Sequence, residues 1–281
     1  MNEKSLILKN LEQNLKKIGI KREDTVYLGI NLGRAFKFYK KEIFQNNSLN
    51  NVREICAKLI FQAIINRIGP QGTIICPTFS FNFIKTKVFN TLKSKSDLGY
   101  FENFFLNQKR IVRSQHPINS IAVWGKNKKI INPCGKFSFG SNSPFSNFVN
   151  YNVKFLNIGI KWIDTCTYLH HLEHLNGINH RFYKPTKGKI INKGKSKTDI
   201  FYNPVRFIKL KSDKAEYKIE RYLKKNSLIK ETQDKIYCSS LNAKDIHDIG
   251  LKILQKKPSY FMSKNINVFI DNKDKLTILE T

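Results

Sequence analysis

The chain has 281 residues, enough for one sizeable α/β domain or two small ones, and its 41% hydrophobic and 12% aromatic content excludes a disordered chain. Fifty Lys and Arg against 21 Asp and Glu leave a formal charge of +29, which opens nucleic acid, an anionic membrane surface or an anionic ligand as partners. Five scattered cysteines without a CxxC pair point to neither a disulfide framework nor a zinc site, and no apolar run reaches transmembrane length.

In chain order, Leu6, Ile7, Leu11, Leu15 and Ile18 recur at helical spacing over residues 5–18, ending at Gly19. This start is an amphipathic helix rather than a signal peptide, so a cytoplasmic protein is expected. A strand is predicted over residues 24–28, followed by a loop with Gly29, Asn31 and Gly33. A second helix over 52–68 stops at Gly69-Pro70, and a short apolar strand follows over 72–77. Helix, strand, helix, strand in that order predicts a parallel crossover unit.

Residues 80–110 carry aromatics and Lys without a clear period, apart from a short helix over 98–105. Residues 113–124 read as a polar loop feeding a strand, with Pro117 keeping His116 out of helical geometry. Ser143 with Pro144 opens a short helix after a Gly/Ser loop, and residues 153–159 form a buried strand. From Tyr183 to about Ile219 the chain is Lys-rich and reads as antiparallel strands. Helices are predicted over 215–224 and over 243–255, the latter capped by Asn242, and an edge strand over 266–270. The resulting fold class is α/β: a parallel-rich central sheet flanked by helices, with a smaller antiparallel β part in the C-terminal third. The whole of 1–281 is read as a single domain, with a β-rich subdomain over about 183–240 as an option.

The chemistry is concentrated in Thr165 to Leu175, directly after the 153–159 strand. His170 and Glu173 are three apart and share one face of a helix opened by Asp164, Thr165 or Thr167. That places an imidazole and a carboxylate together at the carboxyl end of a strand, where open α/β sheets keep their sites. His with a neighbouring carboxylate suits general-base work near neutral pH. Such a pair is also common on solvated helix surfaces, and His171 and His174 compete for the role.

Several stretches, in this order, resemble the aminoglycoside 3-N-acetyltransferase family. They are Leu11 to Ile20 with Asp24-Thr-Val26, Ile68 to Ser80, Arg113 to Gly125, Phe139 to Pro144, Thr167 to Glu173, and Ala243 to Leu251 with Pro258 and Phe261. The resemblance implies an acetyl-CoA-dependent acyltransferase, without metal, that moves acetyl to a primary amine of an aminosugar or aminoglycoside. It implies His170 as general base for direct attack of the amine and Glu173 as its acidic partner, with Asp164 a weaker candidate for partner or amine anchor. It also implies CoA contacts on two loops. One is Ser114-x-His116-Pro117-x-x-Ser120, and the other follows the first strand; Thr78, at the end of the second strand, is implied to sit near the reacting thioester. Where the family usually has His-Ser-Ser-Leu after the first strand, this chain has Gly29, Ile30, Asn31 and Leu32, so Asn31 and backbone amides stand in for the lost groups.

The acceptor is expected to be a small-molecule amine. A chain this basic opposes capture of a polycation, which favours a mono-amino or anionic sugar over a drug. Lys is dispersed without a nucleic-acid motif, so nucleic acid is disfavoured, although a basic nucleic-acid-binding protein and an inactive family relative stay open as alternatives. Thiol chemistry through Cys166 is a further one. A homo-oligomer is compatible with the sequence.

Overall fold

A computed structural model describes residues 3–39, 48–178, 180–206, 217–232, 234–261, 266–270 and 276–280. Its centre is a seven-stranded mixed sheet in the order β4-β5-β2-β1-β6-β10-β9. The strands are β1 (Thr25–Ile30), β2 (Thr73–Pro77), β4 (Val112–Arg113), β5 (Ile121–Gly125), β6 (Lys154–Ile158), β9 (Lys230–Glu231) and β10 (Cys238–Asn242). Pairing is parallel for β2-β1-β6 in the middle and antiparallel toward both edges. The parallel centre is the predicted crossover unit. At the two edges, β4–β5 and β9–β10 are antiparallel because the short loops that join them have no room for a crossover helix.

Strand alternation feeds two cores. Val26 and Leu28, Ile74 and Cys76, and Leu156 and Ile158 face one side. Tyr27, Ile75 and Phe155 face the other. This is the period of two that lets a pleated strand contribute to both layers. The first layer is covered by α1 (Glu3–Lys17) and α3 (Leu49–Ile68), which belong to the predicted 5–18 and 52–68 helices. Ile7, Leu11 and Leu15 of α1 are each at most 1% exposed, one per helical turn, as an amphipathic face against a sheet requires. Truncating Leu11 to Ala would cost about 2–5 kcal/mol. A short α2 (Leu32–Ala35) follows β1, and Asn31 caps it by accepting the Arg34 N–H at 2.9 Å.

The second layer is built by α6 (Tyr168–Leu175), through Leu169 and Leu172, and by α8 (Ala243–Lys256), through Ile246 and Leu254. The α7 helix (Tyr217–Lys225) matches the predicted 215–224 helix within two residues. Asn242 stands at the start of α8, but its side chain donates to Asp245 at 2.9 Å instead of accepting a helix N–H, so the expected side-chain cap is absent.

A second sheet pairs β3 (Val88–Asn90) with a long hairpin of β7 (Arg181–Asn192) and β8 (Lys195–Arg206). The hairpin is the predicted antiparallel part. Both β3 and the one-turn α4 (Phe83–Thr86) before it lie where no period was legible. The α5 helix (Tyr100–Leu106) fulfils the 98–105 expectation. In the tail, β11 (Ile266–Ile270) pairs antiparallel with β12 (Leu276–Glu280), so the predicted 266–270 strand has a hairpin partner of its own. Phe207, counted in the predicted strands, lies outside the described residues.

Candidate active site

The carboxyl ends of β1, β2 and β6 meet where the chain departs from β1 in opposite directions, to β2 on one side and β6 on the other. A crevice opens at such a switch point. It holds a cavity of about 460 Å³ whose walls include Gly29, Asn31, Glu102, Asp164, Cys166 and His170. A wider cavity of about 950 Å³ adjoins it and shares Ile30, Asn31, Leu98 and Glu102.

Two glycines make this crevice. At Gly29 a Cβ would collide with Asn157 Oδ1 and stand 2.7 Å from Thr165 Oγ1. Thr165 Oγ1 donates to Asn157 Oδ1 at 2.8 Å, so this pair fills the space that a side chain at position 29 would occupy. The missing imidazole of the first-strand loop therefore has a structural counterpart. At Gly159, with φ of +70°, a Cβ would run into the backbone of Asn31 and Ala35, so only glycine lets β6 turn this close beneath α2.

After β6, a turn of 3₁₀ helix (Trp162–Thr165) leads into α6. Thr167 occupies the position before the first turn, while Asp164 and Thr165 stay in the preceding turn. On α6 the i,i+3 spacing brings His170 Nδ1 to 2.9 Å from Glu173 Oε2. The His170 side chain is 32% exposed and that of Glu173 only 3%. Glu173 also accepts from His180 Nε2 at 3.0 Å and Arg181 Nε at 2.7 Å, both contributed by the chain after Gly177. Burial alone would raise the Glu173 pKa. Hydrogen bonds from His170 and His180, with the charge of Arg181, outweigh it and hold the carboxyl well below the usual range.

An anionic Glu173 fixes the His170 tautomer, because Nδ1 must carry the hydrogen it donates. Nε2 is then the lone-pair nitrogen, and no described residue pairs with it. His170 lines the 460 Å³ cavity on one side and a small 70 Å³ cavity with His174, Arg181 and Tyr183 on the other. The chemistry available is proton abstraction at a half-exposed imidazole whose orientation and charge are supported from behind.

The competing histidines are otherwise engaged. His171 is buried, its Nδ1 accepts the Gly140 N–H at 3.1 Å, and burial, with His247 and His174 adding, pushes its pKa down to about 3. His174 is hydrogen-bonded to the Tyr183 hydroxyl, and burial lowers its pKa. Asp164 is exposed and accepts from the Tyr217 hydroxyl at 3.0 Å, so the imidazole's partner is Glu173, while Asp164 stands on the cavity wall.

The other expected site residues separate by burial. Asn31 lines both large cavities. Thr78, Ser114, His116 and Ser120 are each at most 1% exposed and are bonded within the protein. Ser120 Oγ donates to the Thr78 carbonyl at 2.7 Å, and Arg113 Nε reaches Ser120 Oγ at 3.1 Å and Thr78 Oγ1 at 3.2 Å. Ser114 Oγ accepts the Ile121 N–H at 2.9 Å. His116 Nδ1 accepts the Asn119 N–H at 3.2 Å, and burial lowers its pKa to about 4, keeping the ring neutral. Arg113, His180 and Arg181 escaped sequence reasoning because their partners are remote or lie beyond a turn, where no helical spacing announces them.

Comparison with known proteins agrees with this architecture. The profile of the aminoglycoside 3-N-acetyltransferase family matches residues 46–255. Among solved structures, AAC-IIIb in a binary complex with CoASH superposes with a TM-score of 0.73 at 17% identity, covering 89% of this chain and 96% of that one. The YokD protein from Bacillus subtilis gives 0.67 at 18% identity, over 89% and 99%. A histidine-to-alanine variant of AAC(3)-IVa in complex with a gentamicin gives 0.68 at 19% identity, over 90% of each chain. Among curated proteins no sequence matches. The structural likenesses establish the fold, and the profile match spans about three quarters of the sequence: the chain belongs to the aminoglycoside 3-N-acetyltransferase family of acyltransferases.

Proposed function

We propose that the protein transfers acetyl from acetyl-CoA to a primary amine of an aminosugar or aminoglycoside, with His170 as general base and Glu173 as the group that orients it. The observation carrying this reading is the His170 ring, bound through Nδ1 to a buried carboxylate, a third exposed and part of the cleft wall, with Nε2 unpaired among the described residues. An ammonium is no nucleophile. Nε2 takes a proton from the bound amine as its nitrogen attacks the thioester carbonyl, and Glu173 stabilises the imidazolium that forms. Collapse of the tetrahedral intermediate breaks the C–S bond, and the CoA thiolate leaves and recovers the proton. Family membership supports the donor, as does the CoASH held by AAC-IIIb.

On this reading Asn31 and the backbone after β1 contact CoA, and the two large cavities together accommodate donor and acceptor. Thr78, Ser114, His116 and Ser120 serve by holding the loops that shape the donor channel, since their polar atoms already bond within the protein. The test is free-thiol release from acetyl-CoA across amino sugars and aminoglycosides, with His170→Ala alongside. Turnover that persists undiminished in the variant would rule His170 out as the base. Gentamicin and sisomicin, bound by the related AAC(3)-IVa and AAC-VIa, are the first acceptors to try, beside sugar nucleotides.

A further inference from the structure

The second sheet buries one face and turns the other to solvent. Phe89 of β3, Thr186, Gly188 and Ile190 of β7 and Phe201 of β8 are buried on the inner side. The alternate residues point outward, and the strand register sets them in rows. Val88, Lys189 and Thr198 stand abreast across the three strands, with Lys187 beside Ile200 in the next row. All five are exposed, Val88 by 46% and Ile200 by 37%. Leu92, in the turn after β3, is 75% exposed, and Thr91 ties that turn to the hairpin by donating to Asn192 Oδ1 at 3.0 Å. At the hairpin tip Lys193 and Lys195 flank Gly194, where a Cβ would meet no atom within 4 Å.

The basic charge of the chain gathers on this sheet. Residues 85–95 and 181–206 hold twelve Lys or Arg and one carboxylate, Asp199, against 50 and 21 in the whole chain. Asp199 is already shared by Lys136 at 2.8 Å and Lys197 at 3.9 Å. Among the described residues, no carboxylate pairs with Lys187 or Lys189. Lysines often guard a sheet edge against pairing with another chain. That purpose does not apply to Lys187 and Lys189, because β7 is the central strand of its sheet. Lys is also depleted in strands, and two ammonium groups on one strand face repel each other. An anionic surface laid against them turns that repulsion into attraction. The neighbours decide what kind of surface it is. These rows hold no aromatic ring for a nucleic-acid base to stack on, whereas exposed Val88, Leu92 and Ile200 suit the boundary between headgroups and acyl chains.

We propose that the outer face of the second sheet docks on the surface of an acidic phospholipid bilayer. Lys187, Lys189 and the tip lysines meet lipid phosphates, and Val88, Leu92 and Ile200 press on the acyl boundary. The foot of the same hairpin belongs to the candidate site, since Arg181 Nε donates to Glu173 at 2.7 Å. The twelve residues of β7 span roughly 40 Å, so the lysine-bearing tip lies at the opposite end from the site. Docking would therefore hold the protein at a membrane surface by a part of the chain that the proposed chemistry does not use. The inference stands apart from the acetyl-transfer reading, and either can fail without the other.

The experiment is co-sedimentation of the full chain with phosphatidylcholine vesicles, with and without about one third phosphatidylglycerol, at about 0.1 M salt. Wild type should pellet with the acidic vesicles and stay in solution with the neutral ones. The double variant Lys187→Glu, Lys189→Glu should lower the partition coefficient at least tenfold. Lys9→Glu with Lys16→Glu, two exposed positions on α1, changes net charge equally and should leave it within twofold. Leu92→Ser should lower it severalfold without altering its salt dependence. All three variants should melt as wild type does, which guards against misfolding. Equal losses in the two charge-reversed proteins would overturn the docking face and assign binding to net charge alone. Equal binding to neutral vesicles, or no binding to acidic ones, would overturn it too. Capture of a single-stranded oligonucleotide through Lys187 and Lys189, without vesicle binding, would give the face to nucleic acid instead. An unchanged partition of Leu92→Ser would remove the aliphatic edge from the contact and overturn the face as drawn.

Discussion

Two buried polar clusters flank the crevice, each organised around one charged side chain. Around Glu173 gather His170, His180 and Arg181; around Arg113 gather Thr78, Ser80, Ser94 and Ser120. Both satisfy a charge that would be expensive to bury alone. They differ in what is left over. The Arg113 cluster closes on itself, ending in carbonyls and hydroxyls that already have partners. The Glu173 cluster leaves one ring nitrogen, His170 Nε2, without a partner among the described residues, on a ring that lines a cavity. On the proposed function, chemistry attaches to the cluster with an unspent titratable atom, and loop shape to the cluster without one. Burial by itself does not distinguish them.

That contrast can be broken most decisively at His170. His170→Ala should lower the rate of thiol release about 10²–10⁴-fold, the range of a general base. Its melting temperature should change little, since a third of the ring is exposed. Retained activity would erase the distinction between the clusters. Glu173→Gln comes next. It should reduce kcat roughly 10- to 100-fold by loosening the Nδ1 tautomer, and should destabilise the fold by about 3–5 kcal/mol by leaving Arg181 without its buried counter-charge. Denaturant unfolding beside kinetics separates the two effects.

The pH dependence of stability sharpens the contrast further, because His116 and Glu173 lose their contributions over different ranges. His116, in the closed region, has a folded pKa lowered to about 4, so the unfolded chain binds its proton first as pH falls below about 6.5. That site's stability is complete above 6.5 and is lost progressively down to about pH 4, roughly 3 kcal/mol in all. The depressed Glu173 carboxyl adds a loss that begins only below about pH 4.3, where unfolded carboxylates protonate. Urea midpoints measured from pH 8 to pH 3 in wild type and His116→Gln should show the earlier loss shrink in the variant by the His116 share, leaving the part that the buried His171 contributes over the same range.

Ser120→Ala should be milder. It leaves Arg113 Nε one acceptor short and should cost about 1–2 kcal/mol, with a rise in the acetyl-CoA KM and no change in kcat. A collapse of kcat would instead put that hydroxyl on the reacting atoms. Cys166→Ala should do least, leaving kcat within about twofold. A rate fallen as far as in His170→Ala would revive thiol chemistry at the cavity wall.

Local patterns carried much of this protein. Helical spacing located α1, α3, α6 and α8, because a one-sided apolar stripe is itself the physical requirement for packing on a sheet. Alternation and apolar runs located β1, β2 and β6, and the i,i+3 rule joined His170 to Glu173 before any tertiary contact was known. Strands as short as β3, β4 and β9 carry no period to detect, since two or three residues cannot display one. They exist because neighbouring strands offer them partners.

What the residues do with their polar atoms was settled by packing. Sequence could not separate Asn31, which faces the cavities, from Thr78, Ser114, His116 and Ser120, whose hydroxyls and ring close on the backbone, since all are small or polar loop residues. Nor could it bring His180 and Arg181 to Glu173, or fill the place above Gly29 with Asn157 and Thr165, because those contacts depend on how a turn and two parallel strands meet. The order of residues along the chain is enough to say which segments become helices and strands, and which side chains can titrate near neutrality. Which of those side chains face a cavity emerges only in three dimensions, because desolvation and hydrogen-bond partnership are properties of a neighbourhood and not of a chain position.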